Sequence, residues 1–336
     1  MKIAVVGAGA IGGYLGARLC LAGEEVTFIA RGRNFEAIAA DGMRLIEEDG
    51  EERIARAAVA ASAGEAGPQD LVLLAVKAHQ VSALAPQLPA LFGSETPVVT
   101  LQNGVPWWFF YGLEGPHEDR PVRSVDPEGT IGEHIANARV IGAVVYPAAE
   151  LLAPGLVKVV EGNRFSLGEP DGERTRRIAR IAESFARAGF KAPISTDIRA
   201  EIWLKLSGNV VFNPVGALTH ATLAEICDFP PTRALATAMM EEARTVAEKL
   251  GVRVRISIER RIAGAAAVGA HKTSMLQDVE AGRALELDAL TGAVVELARL
   301  TDTPTPAIDA VHACAALLAA RLAATPGRLR IEPVGG

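Results

Sequence analysis

Cysteine is scarce and poorly placed for cross-linking. The 336 residues contain three, Cys20, Cys227 and Cys314. They are odd in number and far apart, which excludes a disulfide framework or a thiolate metal cluster and favours a reducing compartment. The six histidines show no metal-ligand spacing either, so no metal is expected. An excess of positive charge is also missing. The formal net charge is -6, which argues against a nucleic-acid partner. The one gathering of arginines, Arg174, Arg176, Arg177 and Arg180, has the spacing of a solvated helix face. No stretch reads as a membrane span. The apolar start, Met1-Lys2 onward, superficially resembles a signal peptide. Glycines from Gly7 to Gly16 and Arg18 break it, and no small-residue cleavage site follows. The expectation is a cytoplasmic protein with no membrane partner.

What is present fits a soluble enzyme of two domains. Hydrophobic residues make up 49% and charged residues 22% of the chain, and 336 residues exceed what one core usually supports. Strands and helices alternate through the first part. Ile3 to Val6 is a short β-branched strand, and a helix follows from Ile11 to Ala22, stopped by Gly23. Val26 to Ala30, Leu71 to Val76 and Pro97 to Leu101 are further strands; the near-continuous apolar character of Leu71–Val76 suits a parallel sheet covered on both faces. Residues 105 to 135 carry no clear element. Val140 to Tyr146, Leu156 to Val160 and Arg164 to Leu167 are expected as antiparallel strands, with turns at Pro154-Gly155 and Gly162-Asn163. Arg174 to Ala188 is a helix, and from Asp197 onward nearly everything is helical. The fold class is therefore α/β: a Rossmann-type doubly wound sheet over residues 1–193, then an all-helical C-terminal domain over 194–336.

The sharpest motif is Gly7-Ala8-Gly9-Ala10-Ile11-Gly12, directly between a strand and a helix. That context marks a dinucleotide fingerprint. Gly7 permits the tight turn, Gly9 lets the backbone approach a pyrophosphate, and Gly12 allows close helix–sheet packing. The helix N-terminus then offers N–H groups and positive partial charge to the phosphates. About twenty residues on, an NAD protein presents a carboxylate to the ribose 2′-hydroxyl. Here the second strand runs instead into Arg31-Gly32-Arg33. Guanidinium groups bind a 2′-phosphate with charge-assisted bonds, so NADP(H) is expected, with Arg31 the stronger candidate.

Three further groups carry chemistry. Lys77 ends the strand Leu71–Val76, and Asn103 ends the next strand. Ligands in open α/β sheets bind outside the carboxyl ends of such strands. Lys205, Asn209 and Asn213 follow at i, i+4 and i+8, on one face of an otherwise apolar helix. The plain alternative is a Glu201–Lys205 surface ion pair with two incidental asparagines. Asparagine is a poor helix former, however, and this helix is too hydrophobic for a surface one. Ser274 and Glu286 lie near the third group, Lys272 to Asp278 followed by Glu286-Leu287-Asp288. In one straight helix they would stand about 18 Å apart, so both serve one site only if the chain breaks, for which Gly282 is suited.

This ordered set resembles the ketopantoate reductase (2-dehydropantoate 2-reductase) family over nearly the whole chain. The matching residues are Gly7–Gly12, Arg31, Val76-Lys77-Ala78, Asn103-Gly104, Arg199-Ala200-Glu201-Ile202-Trp203 leading to Lys205, Asn209 and Asn213-Pro214, then Ser274–Asp278 and Glu286–Asp288. The resemblance implies reduction of a small 2-oxo acid, ketopantoate, to pantoate by hydride from NADPH. It implies Lys205 as the general acid and Glu286 as the residue that positions Lys205 and the substrate hydroxyl. Asn209, Asn213 and Ser274 would bind substrate. Asn103 would lie near the nicotinamide and Lys205, and Lys77 would hold the cofactor. The chemistry agrees: an ammonium opposite a developing alkoxide stabilises the transition state, and burial brings a lysine pKa toward working pH.

One stretch departs from the family pattern. Pro106-Trp107-Trp108-Phe109-Phe110-Tyr111 is bulky and aromatic; its readings are a lining of the active-site entrance, packing on the C-terminal domain or a subunit contact, and packing is the one expected. Its position after Asn103 leaves another 2-oxo or 2-hydroxy acid open as the substrate of a related NADP-dependent dehydrogenase. A non-catalytic dinucleotide sensor is the remaining class; it would give no reason for Lys205, Glu286 and the pocket amides to occur together. The long helices of the second half bury each other or a partner, so a homodimer stays open.

Overall fold

The computed structural model describes residues 1–325 and 327–331. They form two compact units, residues 1–122 with 126–201, and residues 123–125 with 202 onward. The first unit runs β1 (Lys2–Val6), α1 (Ala10–Leu21), β2 (Glu25–Ile29), α2 (Gly32–Asp41), β3 (Met43–Ile46), β4 (Glu52–Ala55) and β5 (Ala58–Ala60). It continues with α3 (Ala63–Ala66), β6 (Leu71–Leu74), α4 (Ala78–Leu84), β7 (Val98–Thr100), α5 (Thr130–His134) and β8 (Val140–Val145). It ends with β9 (Ala148–Ala153), β10 (Leu156–Glu161), β11 (Phe165–Gly168) and α6 (Arg176–Arg187).

The main sheet has the order β11-β8-β7-β6-β1-β2-β5. Six strands are parallel, and β11 alone pairs antiparallel, at one edge. All four residues of β6 and all three of β7 are buried, as their unbroken apolar sequences require of strands covered on both faces. A second sheet, β4-β3-β10-β9, was not expected from the sequence. Its strand β9, Ala-Ala-Glu-Leu-Leu-Ala, has helix-forming composition. Antiparallel pairing with β10 across the turn at Gly155 (φ 68°) overrides that local preference. The three late strands expected to pair with one another therefore divide: β8 and β11 join the main sheet, and β10 joins the second, lying parallel to β3.

Helix α1 packs between the two sheets, and glycines make the sandwich thin enough. A methyl group at Gly16 would fall 2.5 Å from the Phe28 ring of the main sheet. On the other side, one at Gly13 would fall 2.7 Å from Val157 of the second. Against the edge of the unit, α6 buries Ile178, Ile181 and Phe185, at the i, i+3, i+7 spacing of a helix stripe. Thr175 caps it, accepting the Ile178 N–H. Of the arginines there, Arg174, Arg176 and Arg180 are exposed. Arg177 is not part of a solvated face: it pairs with the buried Glu169 and donates to Ala138 O at 2.7 Å.

The aromatic stretch after Asn103 packs inside this first unit. Trp107, Trp108, Phe109 and Phe110 are all buried. The Trp108 indole donates to Thr100 Oγ1 at 3.2 Å and lies over the bare Cα of Gly142. Arg199 donates to the carbonyls of Phe109, Tyr111 and Pro170, tying the stretch down.

The second unit is helical: α7 (Ile198–Thr219, which begins in the first unit), α8 (Leu223–Asp228), α9 (Pro230–Lys249), α10 (Ile258–Ala267), α11 (Ser274–Ala281), α12 (Ala293–Leu300) and α13 (Pro306–Ala324). Residues Asp288–Gly292 form one π-type turn before α12. The buried Trp203 indole donates to Ala243 O at 3.1 Å, locking α7 to α9. Glu296 of α12 accepts the N–H groups of Arg123 and Ser124 at 2.8 and 2.6 Å, holding that short segment to the helices. Contrary to the sequence reading, α13 is long and apolar enough, by length and composition, to cross a membrane. Its Ile308, Val311 and Ala315 side is buried in the second unit, and Glu242 of α9 caps its first turn at 2.9 Å from both Ala307 N and Ile308 N.

Candidate active site

In the first unit, β1 ends at Val6 and the chain turns through Gly7, whose φ of 101° strongly favours glycine. Its N–H donates to Ile29 O of β2 at 3.2 Å, fixing the loop to the sheet. Gly12 faces this turn so closely that a Cβ there would lie 2.0 Å from Gly7 O. Over Gly9, by contrast, a Cβ would meet nothing within 4 Å. Gly9 is also the N-cap of α1, and no side chain caps it. Tight backbone below and open space above, at a helix N-terminus carrying Ala10 and Ile11, is a cradle that fits a pyrophosphate. The Ala8 carbonyl of this loop accepts from Asn34 Nδ2 at 2.6 Å. Asn34 Oδ1 in turn accepts the Gly155 N–H at 2.7 Å. Asn34 thus pins the phosphate loop to the β9–β10 turn. The sequence reading missed it, because its partners lie 26 and 121 residues away.

Arg31 is the N-cap of α2, two residues past β2. It is exposed, and its guanidinium donates to Gln87 Oε1 at 3.2 Å. Lys77 and Asn103 lie slightly farther along than the sequence suggested. Strand β6 ends at Leu74 and β7 at Thr100, so each residue sits three positions beyond its strand; Lys77 is the N-cap of α4. The apolar runs continue past the last ladder bonds, so composition overstates strand length. Both residues nevertheless follow the carboxyl ends of adjacent parallel strands, where ligands of open α/β sheets bind. Gln102 was also overlooked. Its Nε2 donates to Leu74 O at 2.7 Å and Val76 O at 2.9 Å, bracing the chain that carries Lys77 to the chain that carries Asn103.

In the second unit, α7 carries Lys205, Asn209 and Asn213; Asn213 is buried, and the other two are half-buried. The ion pair between Glu201 and Lys205 weighed as a simpler reading is not how Glu201 is engaged. Its carboxylate accepts from the Tyr146 hydroxyl at 2.9 Å and pairs with Arg164 at 3.5 Å. Two charges on the second unit act on Lys205 across space, Glu286 and Arg261. Burial is the largest influence on its ammonium; Glu286 stabilises the charge, and Arg261 opposes it. The net result lowers its pKa from 10.5 to about 8, into the range where a lysine both holds and gives up a proton near neutrality.

The chain does break between Ser274 and Glu286. Helix α11 stops at Ala281, and Gly282 adopts the left-handed conformation, φ 67°. Ser274 is the first residue of α11, directly after the cap Thr273, which accepts the Leu276 N–H. Thr273 packs against α7 where Gly216 leaves room: a methyl group on Gly216 would lie 3.0 Å from Thr273 Oγ1. Ser274 thereby starts beside the part of α7 one turn beyond Asn213.

A cradle fitted to a pyrophosphate after β1 and a desolvated lysine on a helical unit suit a pyridine-nucleotide-linked oxidoreductase. Comparison with known proteins agrees. The model of the family "Ketopantoate reductase PanE/ApbA" matches residues 3–172, and that of its C-terminal domain matches residues 197–319. The chain belongs to the ketopantoate reductase family. A 2-dehydropantoate 2-reductase of Mesorhizobium japonicum is 56% identical over 95% of this chain and 98% of its own. A crystal structure from Ralstonia solanacearum MolK2 aligns with TM-score 0.91 and 41% identity, covering 95% of this chain and 98% of that one. A D-mandelate dehydrogenase solved with NADH and anilino(oxo)acetate shares the fold, with TM-score 0.81 at 23% identity over 96% and 99% of the two chains.

Proposed function

We propose that this chain reduces 2-dehydropantoate to pantoate with NADPH. The observation that carries the reading is Lys205, a half-buried ammonium whose charge Glu286 supports and whose pKa is brought down to about 8. NADPH, when bound, supplies the hydride. Residues Gly7, Ala8, Gly9, Ala10, Ile11 and Gly12 hold its pyrophosphate through backbone N–H groups, and Arg31 takes the 2′-phosphate. No carboxylate ends β2 to accept a 2′-hydroxyl, since Ile29 is followed by Ala30-Arg31. Lys77 and Asn103 bound the nicotinamide end.

Lys205 donates its proton to the ketone oxygen as negative charge develops there: the new O–H bond forms as an N–H bond breaks, leaving a neutral amine for solvent to reprotonate. Glu286 orients Lys205 and the product hydroxyl. Asn209, Asn213, Asn103 and Ser274 bind the substrate's oxygens with neutral donors, which adds no charge to be desolvated.

The test is NADPH oxidation with 2-dehydropantoate, run beside NADH and beside Lys205→Ala. Turnover favouring NADPH is expected, with kcat lower by about 10²–10⁴-fold in the variant, the usual share of a general acid. NADPH binding without turnover of this substrate would move the search to other 2-oxo acids. Undiminished turnover by Lys205→Ala would remove the lysine from the mechanism.

A further inference from the structure

Helix α7 has a glycine, Gly208, three residues past Lys205, in the middle of a long helix where glycine costs about 1 kcal/mol relative to alanine. The structure shows what occupies the space a side chain would take. A methyl group on Gly208 would lie 2.2 Å from Nη2, 2.9 Å from Cζ and 3.2 Å from Nε of Arg261. The guanidinium of α10 therefore occupies the space over the bare backbone of α7, its Nη2 nearest. Arg261 also lines, with Trp203, Leu204 and Ser207 of α7, a small depression beside the helix turn that bears Lys205.

The charged groups around Lys205 come from four elements. On its own helix, Glu201 is engaged by Tyr146 and Arg164. On α9, Arg244 lines the same depression and donates to Ile256 O at 3.0 Å. On α10 stands Arg261, and after α11 stands Glu286. Glu286 favours the ammonium and Arg261 disfavours it. An arginine stays protonated at every working pH, so its charge acts as a constant.

We propose that Arg261, seated on the bare backbone of Gly208, is a positioning residue for the reaction at Lys205, holding a fixed positive charge beside the acid and so setting the upper pH limit of turnover. The inference rests on the reading of Lys205 as the proton donor. A donor must be protonated, so kcat falls as pH rises through its pKa. Taking away a like charge makes the proton harder to lose and moves that alkaline limb to higher pH.

The experiment is a pH profile of kcat for the wild type, Arg261→Gln, Arg261→Lys and Gly208→Ala, paired with a ¹⁵N NMR titration of the Lys205 ammonium. In Arg261→Gln, both limb and titration midpoint should rise by about half a pH unit or more. Arg261→Lys should restore them toward the wild-type position. Gly208→Ala, whose methyl group displaces the guanidinium, should shift them the same way as Arg261→Gln; it carries the test if Arg261→Gln fails to fold. A loss of activity equal at all pH values, with limb and midpoint unmoved, overturns the proposal. A midpoint that moves while the rate limb stays put overturns the proton-donor reading of Lys205, and with it the part of Arg261 in the reaction.

Discussion

At Lys205, the proposed proton donor, function and stability pull in opposite directions. Its pKa is lowered from 10.5 to about 8, chiefly by burial, so folding disfavours its charged form. The sign follows from linkage. Below pH 8 the folded protein bears the cost of a desolvated ammonium. Between pH 8 and 10.5 the unfolded chain binds the proton more strongly than the folded one, so stability rises with pH. Replacing Lys205 with Met should abolish that rise and stabilise the protein at pH 7 by roughly 1–3 kcal/mol, discounted for the partial exposure of the group. Urea unfolding of both proteins at pH 7 and pH 10 measures it; a variant less stable than wild type at pH 7 would mean that the lysine's contacts outweigh its desolvation. That Lys205, Asn209 and Asn213 share one face of α7 was legible in the sequence, because side chains four residues apart on a helix fall on one face. Arg261 was not, since its partner Gly208 lies 53 residues earlier and neither residue stands out alone.

At the level of elements, α1 decides how the first unit is built. Its glycines do more than admit a cofactor at the N-terminus: Gly16 and Gly13 let two sheets close on the same helix. Gly16→Ala places a methyl group 2.5 Å from the Phe28 ring, in a core where that ring is fully buried. Overpacking of this kind should cost about 1–3 kcal/mol in urea unfolding, although alanine is the better helix former. A neutral or stabilising outcome would show that Phe28 can move aside. The second sheet accounts for why this double demand was invisible beforehand. Strands β3 and β4 are only four residues long, and β4 and β9 are largely exposed. Neither alternation nor apolar runs mark such strands; pairing with distant partners creates them.

At the level of the whole molecule, the Gly7–Gly12 loop and Lys205 belong to different units, so the roles proposed for them should separate experimentally. If NADPH is the cofactor and binds only the native state, then at 100 times its dissociation constant it should stabilise the protein by about 2.7 kcal/mol, seen as a rise in Tm. Lys205→Ala should keep that shift while losing turnover. Arg31→Ala should shrink it for NADPH and leave the response to NADH unchanged; equal loss for both nucleotides would remove the 2′-phosphate from Arg31. The sequence alone determined the parallel sheet, the glycine turn into α1 and the helical second unit, because each is written in local spacing: glycines between a strand and a helix, apolar runs, and helix-forming composition. Only the tertiary structure decided the rest. The β9 segment became a strand against its composition, Asn34 came to brace the phosphate loop, the aromatic stretch was buried under Arg199, and Arg261 was laid on Gly208 beside the catalytic candidate. Each depends on residues far apart in the chain, whose meeting is set by packing and not by local pattern.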